Sequence, residues 1–297
     1  MGRYLVTGAA SGIGAAIAAS LRAEGHSVIG VDRNLPADAA GPTETAHVVA
    51  DLATVAGRAD AAAAIIDRCA GRLDGAVMAA GLGPARGRER AILNVNVLGV
   101  TDLLTAVRPA LAAAGNAKVV VLGSNSTTST PLVPRAALRR LDRGDTAGAA
   151  RIIGRRPSAL RGPLAYAASK LAVTRWCRRR SVSPDWAGAG IRLNLIAPGP
   201  VQTPLLDEQL ASETGKNVRA FPIPLGQFGT TEQIAAWAMM MLSPQADVMT
   251  GTVVTIDGGT EALLRTADWP RSLPVTGIPR LVSRMSQARN GGRRVRQ

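Results

Sequence analysis

The chain has 297 residues, room for one large α/β domain or two small ones. It is 46% hydrophobic but only 3% aromatic, so its core must come from Ala, Val, Leu and Ile, and no uninterrupted apolar run approaches the roughly 18 residues of a membrane span. A net charge of +14 invites a nucleic-acid reading, but its distribution argues against one: residues 271–297 hold seven arginines and no acid, residues 135–162 hold eight arginines against Asp142 and Asp145, and the rest is nearly neutral.

Apolar strand-like runs occur at 3–7, 27–32, 47–50, 74–79, 117–123, 190–196 and 252–256, with helical stretches between them. That alternation predicts a single doubly wound α/β domain over residues 1–265, with a seven-stranded, mainly parallel sheet covered by helices on both faces. Ligands of such sheets sit at the carboxyl ends of the strands.

Directly behind the first run comes Thr7-Gly8-Ala9-Ala10-Ser11-Gly12-Ile13-Gly14. Glycines in this place let the backbone turn tightly and approach a pyrophosphate at the start of a helix, predicted over Ala15–Glu24 with Gly25 as its stop. The second run ends on Asp32, 18 residues beyond Gly14, where an acid accepts hydrogen bonds from the adenosine ribose hydroxyls. A carboxylate there repels a 2′-phosphate and favours NAD. Arg33 beside it is the counterweight toward NADP, placed farther from the 2′ position.

Two segments break the rhythm. Residues 130–162 carry prolines, arginines and helical periodicity at Arg135–Leu141 and Thr146–Ile153, as in an inserted helical excursion. Residues 266–297, with Pro270, Pro274, Pro279 and Gly291-Gly292 among arginines, read as a poorly ordered, solvated basic tail.

Chemistry concentrates after the fifth run. Ser124 follows it directly, and Tyr166-Ala167-Ala168-Ser169-Lys170 sets a tyrosine and a lysine at i and i+4 on one helix face. Free tyrosine, with a pKa of about 10, is too weakly acidic to serve as a base at neutral pH. An adjacent ammonium with a nicotinamide nearby favours the phenolate, and the serine hydroxyl can hold a carbonyl or alcohol oxygen in line with the phenol. Such a set suits proton transfer coupled to hydride transfer between C–OH and C=O.

Together with Asp51-Leu52, Ala79-Ala80-Gly81, Asn94-Val95-Asn96-Val97-Leu98-Gly99, Arg192–Gly199 and Ile256-Asp257-Gly258-Gly259, these motifs resemble the short-chain dehydrogenase/reductases, in order from residue 3 to 264. Ala79–Pro84, Leu164-Ala165-Tyr166, Pro204-Leu205-Leu206 and the 42-residue separation of Ser124 from Tyr166 are similar to the bacterial 3α-hydroxysteroid dehydrogenase/carbonyl reductase subgroup. The resemblance implies Tyr166 as general acid/base, Lys170 lowering its pKa and binding the nicotinamide ribose, Ser124 polarising the substrate oxygen, and Asn96 holding a water that links Lys170 to solvent. It also implies a dinucleotide cradled by Gly8, Ser11, Gly12, Ile13 and Gly14. Asp51 and Leu52 would lie at the adenine, Ala80 and Gly81 along the backbone contact, and Pro198 and Thr203 at the nicotinamide end. Met78-Ala79-Ala80-Gly81 departs from the family's Asn-Asn-Ala-Gly, so hydrogen bonds made by two side-chain amides must be satisfied otherwise.

The substrate implied is a small apolar alcohol or ketone, such as a steroid, with terpenoid or xenobiotic ketones as the alternative and a non-catalytic dinucleotide sensor as the reading from another class. Neither nucleic acid nor membrane is an expected partner. Family members without the insertion commonly pair through the helices after the fourth and fifth strands and form tetramers; covering that face predicts a homodimer. Cys69 and Cys177 lack metal or redox spacing and read as buried thiols, and no acidic cluster has metal-ligand spacing. With the first strand starting almost at the N-terminus, this predicts a cytoplasmic protein. His26 and His47 read as structural, and Met239–Met241 as core packing.

Overall fold

The computed structural model describes residues 1–35, 47–211, 215–268 and 272–289. Seven strands form one sheet in the order β3-β2-β1-β4-β5-β6-β7: β1 (Arg3–Thr7), β2 (Ser27–Asp32), β3 (His47–Val49), β4 (Gly75–Met78), β5 (Lys118–Leu122), β6 (Arg192–Pro198) and β7 (Val253–Ile256). Every pairing within it is parallel, from Leu5 opposite Ile29 and Ala76 to Ile196 opposite Leu122 and Val254. The strand order reverses between β1 and β4, which opens a crevice at their carboxyl ends.

Side chains alternate across the sheet as the period of two requires. Leu5, Val119, Val121, Leu193 and Leu195 enter one core; Val6, Val120, Leu122 and Ile196 enter the other. The first core is closed by α2 (Val55–Arg68), α4 (Gly99–Ala113) and α8 (Ser158–Arg180), through residues such as Ile65, Leu104 and Val173. The second is closed by α1 (Gly12–Ala23) and α11 (Thr231–Leu242), through Ile17, Leu21, Ile234 and Ala238. Met241 belongs to this core while Met240 is exposed, so the three methionines divide between packing and surface.

A continuous helical run, Glu89–Ala113, has the length and mean hydropathy, 1.3, of a membrane span. Its Leu103, Leu104, Val107 and Leu111 are wholly enclosed in the first core, which accounts for the apolarity. The run begins as α3 (Glu89–Leu93), passes through a π-helical turn at Asn94–Leu98, and continues as α4.

The insertion has the two helices that its periodicity predicts, α6 (Arg135–Leu141) and α7 (Thr146–Ile153), after the single turn α5 (Ser126–Ser129). Its last residues, however, are the first turn of α8, which begins at Ser158; Pro157 is the N-cap, and Pro163 is accommodated near the helix start. A third core joins Leu138, Leu141 and Ile153 of the insertion to Ile92, Leu93, Leu164, Ala165 and Ala168. Burying six Leu or Ile side chains there is worth on the order of 10 kcal/mol. The half-exposed pairs Arg140–Asp145 and Arg179–Asp142, at 3.1 and 2.8 Å, contribute at most about 1 kcal/mol each. Apolar packing therefore fixes the insertion, and the arginines keep its outside wet.

Both histidines are structural. The Nδ1 of His26 accepts from the Gly2 N–H at 3.0 Å, and His47 Nε2 lies 3.1 Å from the Asn34 carbonyl oxygen. Cys69 and Cys177 are free and buried. Further short helices are α9 (Pro204–Ala211), α10 (Gly215–Arg219), α12 (Thr260–Leu264) and α13 (Ile278–Arg289). The chain divides into Met1–Glu261 and Ala262–Gln297. Within the tail, Pro270 and Gly291-Gly292 lie outside the described residues, whereas residues 278–289 are helical.

Candidate active site

The glycine-rich turn occupies the crevice between β1 and β4. Gly8 has φ of +71°, and a methyl group on it would fall 2.8 Å from the Ala80 nitrogen. At Gly14 a methyl would collide with the Gly8 carbonyl oxygen. Glycine is thus required twice, once for conformation and once for contact between turn and helix. Helix α1 starts at Gly12, three residues earlier than its apolar pattern suggests, because the glycines themselves form its first turn. Ser11 is the N-cap and makes no side-chain capping bond, so the turn's N–H groups, which have no intrahelical acceptor, point to an anion.

Asp32 ends β2 beside this turn. One carboxylate oxygen accepts from the Ala10 N–H at 3.0 Å and the other from the Asn34 N–H at 3.2 Å. Arg33 is exposed. Asp51 Oδ1 accepts from the Ala53 N–H at 2.9 Å, and Leu52 is buried with the first core. The family amides missing at 78 and 79 are compensated in part by Thr7, whose Oγ1 accepts from the Ala80 N–H at 3.1 Å. Thr203 approaches from the far side: a methyl on Gly12 would lie 3.3 Å from its Cγ2, and its Oγ1 accepts from the Leu206 N–H at the start of α9. Pro198, the last residue of β6, accepts from the Asn125 N–H at 2.9 Å. These residues fit a dinucleotide: an anion cradle closed to any side chain, a fixed carboxylate at the second strand, and an apolar adenine margin.

Beyond β5 the Ser124 Oγ accepts from the Ser126 N–H at 3.1 Å. Its own proton is then free for Tyr166, with whose phenol it shares a hydrogen bond. Lys170, one turn further along α8, buries its Nζ and donates to the Leu122 carbonyl at 2.7 Å. The same Nζ lies 5.9 Å from the centre of the Tyr166 ring. A methyl on Gly81 would stand 3.4 Å from Asn96 Oδ1 and 3.6 Å from Lys170 Nζ, so these three residues meet at one point. The structure thus brings Ser124, Tyr166, Lys170, Asn96 and Gly81 together.

Two features go beyond the motif reading. Among the protein's own groups, burial raises the phenol of Tyr166 above its ordinary 10.0, outweighing the Ser124 hydrogen bond that favours the phenolate. The Lys170 amine is depressed by burial to about 8, and its short bond goes to the strand carbonyl. The Asn96 side chain also has another duty. Its Nδ2 donates to the Leu82 carbonyl and to Ser169 Oγ, both at 3.0 Å, and its Oδ1 accepts from the Leu82 N–H at 2.8 Å. It clamps the loop after β4, and Ser169 Oγ in turn donates to the Tyr166 carbonyl.

Several supporting contacts escaped the motif reading. Asn125, next to Ser124, donates from Nδ2 to buried Asp257 at 3.2 Å, and Asp257 also accepts from the Gly259 and Glu261 N–H groups. Asn94 accepts from Thr146 Oγ1 at 2.7 Å and donates to the Ala53 carbonyl at 2.9 Å, tying the insertion to the adenine margin. A methyl on Gly83 would lie 3.1 Å from Leu205, so α9 closes over the loop after β4. Asn94, Asp257, Gly83 and Leu205 lie within the quoted motifs and Asn125 beside one, but only the polar identity of Asn125 and Asn94 hinted at these contacts.

A profile described as short chain dehydrogenase matches residues 3–135, and one described as Enoyl-(Acyl carrier protein) reductase matches residues 126–261. The chain is 35% identical over 266 residues to the 3-alpha-hydroxysteroid dehydrogenase/carbonyl reductase of Comamonas testosteroni, covering 89% of this chain and 98% of that protein. It is 30% identical to the D-threitol dehydrogenase of Mycolicibacterium smegmatis, over 86% of this chain and 91% of the relative. Among solved structures, the 3-alpha-hydroxysteroid dehydrogenase from Pseudomonas sp. B-0831 complexed with NADH is similar with a TM-score of 0.80 at 38% identity, covering 89% of this chain and 99% of that one. The chain belongs to the short-chain dehydrogenase/reductase family. It is an oxidoreductase of that family, NAD(P)-linked and interconverting alcohols and ketones.

Proposed function

We propose that the protein is an NAD-linked dehydrogenase and carbonyl reductase acting on 3-hydroxysteroids or their ketones. The observation that carries this reading is the hydrogen-bonded Ser124–Tyr166 pair beside buried Lys170, in a chain 35% identical to a 3-alpha-hydroxysteroid dehydrogenase/carbonyl reductase over 89% of its length. Leu205, above Gly83, gives the cleft an apolar margin suited to such a substrate.

In the bound state the dinucleotide would rest on Gly8, Ser11, Gly12, Ile13 and Gly14, with Asp32 at the adenosine ribose and Lys170 at the nicotinamide ribose. Its nicotinamide supplies a hydride to a ketone carbon, or accepts one from an alcohol. Tyr166 gives its phenolic proton to the ketone oxygen, which becomes the alcohol, and takes it back in the reverse direction. Ser124 donates a hydrogen bond to the same oxygen, polarising the carbonyl. A raised phenol pKa keeps Tyr166 protonated, the form that carbonyl reduction needs. Asn96 positions this machinery by clamping Leu82, and its backbone is the place proposed for a water leading from Lys170 to solvent.

Tyr166→Phe removes only the hydroxyl and should keep dinucleotide binding while lowering turnover roughly 10²–10⁴-fold. The measurement is steady-state turnover across 3-hydroxysteroids, simple cyclic alcohols and aromatic ketones. Wild-type rates in the variant would overturn the catalytic assignment, and activity confined to non-steroid substrates would overturn the steroid reading.

Asp32 sets the cofactor. Its carboxylate is held by two backbone N–H groups at the place where a 2′-phosphate would lie. Asp32→Ala should shift the ratio of kcat/KM values toward NADP, with Arg33 available to the phosphate; a parent enzyme that already prefers NADP would contradict this.

The assembly proposed is a homodimer in the cytoplasm. Helices α6 and α7 pack on α3 and on the first half of α8, the side through which tetramers would otherwise form, and the free thiols suit a reducing compartment. Light scattering should return twice the chain mass, and a stable tetramer would refute the covered-face argument.

A further inference from the structure

Residues after 261 lie outside the enzyme's family match, and 89% of this chain already accounts for 98% of the Comamonas relative. Helix α13 in this extension places Ile278, Leu281, Val282 and Met285 at i, i+3, i+4 and i+7, on one face at 100° per residue. These four side chains are 48%, 49%, 59% and 52% exposed, and Val275, just ahead of the helix, is 80% exposed. Arg280 and Arg284 fall on the opposite side of the helical wheel. Across residues 271–297 there are seven arginines and neither Asp nor Glu.

We propose that α13 is a membrane-surface anchor, lying along the headgroup boundary of an anionic bilayer with its apolar stripe toward the acyl chains. An amphipathic helix with a basic polar face binds such surfaces through buried apolar area and attraction to anionic lipid together. Charge decides between the possible occupants of the stripe. A second copy's tail brings the same seven arginines with no acid to meet them, so pairing of two tails through the stripe sets like charge against like, whatever face the homodimer uses. Duplex nucleic acid supplies negative charge but no apolar layer for Leu281, Val282 and Met285. An anionic bilayer supplies both. One short helix gives reversible attachment, so the enzyme would move between cytoplasm and membrane surface. This revises the expectation of a merely solvated tail.

The test is co-sedimentation of the full chain with vesicles of phosphatidylcholine alone and of phosphatidylcholine mixed with phosphatidylglycerol, at low and high salt. The expected result is roughly tenfold or greater enrichment on the phosphatidylglycerol vesicles at low salt, diminished by added salt. Leu281→Glu with Met285→Glu should reduce sedimentation to the level seen with phosphatidylcholine alone while leaving the melting temperature of the enzyme unchanged. Equal binding to both vesicles, or none, would overturn the proposal. So would phosphatidylglycerol binding that survives the double substitution, or duplex DNA binding that competes with the vesicles and is indifferent to it.

Discussion

Lys170 Nζ donates to the Leu122 carbonyl at 2.7 Å, and the rest of the site depends on that bond. It joins α8 to the end of β5 two residues before Ser124. With the lysine pinned, helical geometry puts Tyr166 one turn back on the same face, where its phenol meets the Ser124 hydroxyl. The strand cannot shift to relieve the contact, since Leu122 is paired with Ile196 in the sheet interior. Asn96 then closes the arrangement from the third side by holding Leu82 and Ser169.

This geometry has an electrostatic cost that function explains. Enclosing an amine lowers Lys170 to about 8, and enclosing a phenol raises Tyr166. A fold selected only for stability would fill both positions with apolar groups. Lys170 has a depressed pKa in the folded state. Its burial therefore weighs fully on stability below about pH 8, and the burden is relieved as pH rises toward the unfolded value of 10.5. The folded protein thus carries that cost in the two groups proposed to meet substrate and cofactor. Its three apolar cores offset that burden.

Much of this was legible in the sequence because backbone demands leave residue-level traces. Gly8 and Gly14 are glycines because a methyl has no room, and Asp32 is recognisable by its distance from them. Leu138, Leu141 and Ile153 announced the insertion helices by their spacing. Contacts between distant segments left weaker traces. Nothing about Thr146 marks it as the partner of Asn94, and nothing about Asp257 says that it holds Asn125. The bond of Lys170 to a backbone carbonyl could not be read at all, since every residue offers a carbonyl.

The chain has only two tyrosines, which makes its central electrostatic claim directly measurable. In a Tyr4→Phe background, ultraviolet titration of the protein without dinucleotide reads the Tyr166 phenol alone. The account predicts an ionisation midpoint above the ordinary 10.0, moving higher still in Ser124→Ala, where the hydrogen bond that favours the phenolate is gone. A midpoint at or below 10.0, or one that Ser124→Ala leaves in place, would contradict it.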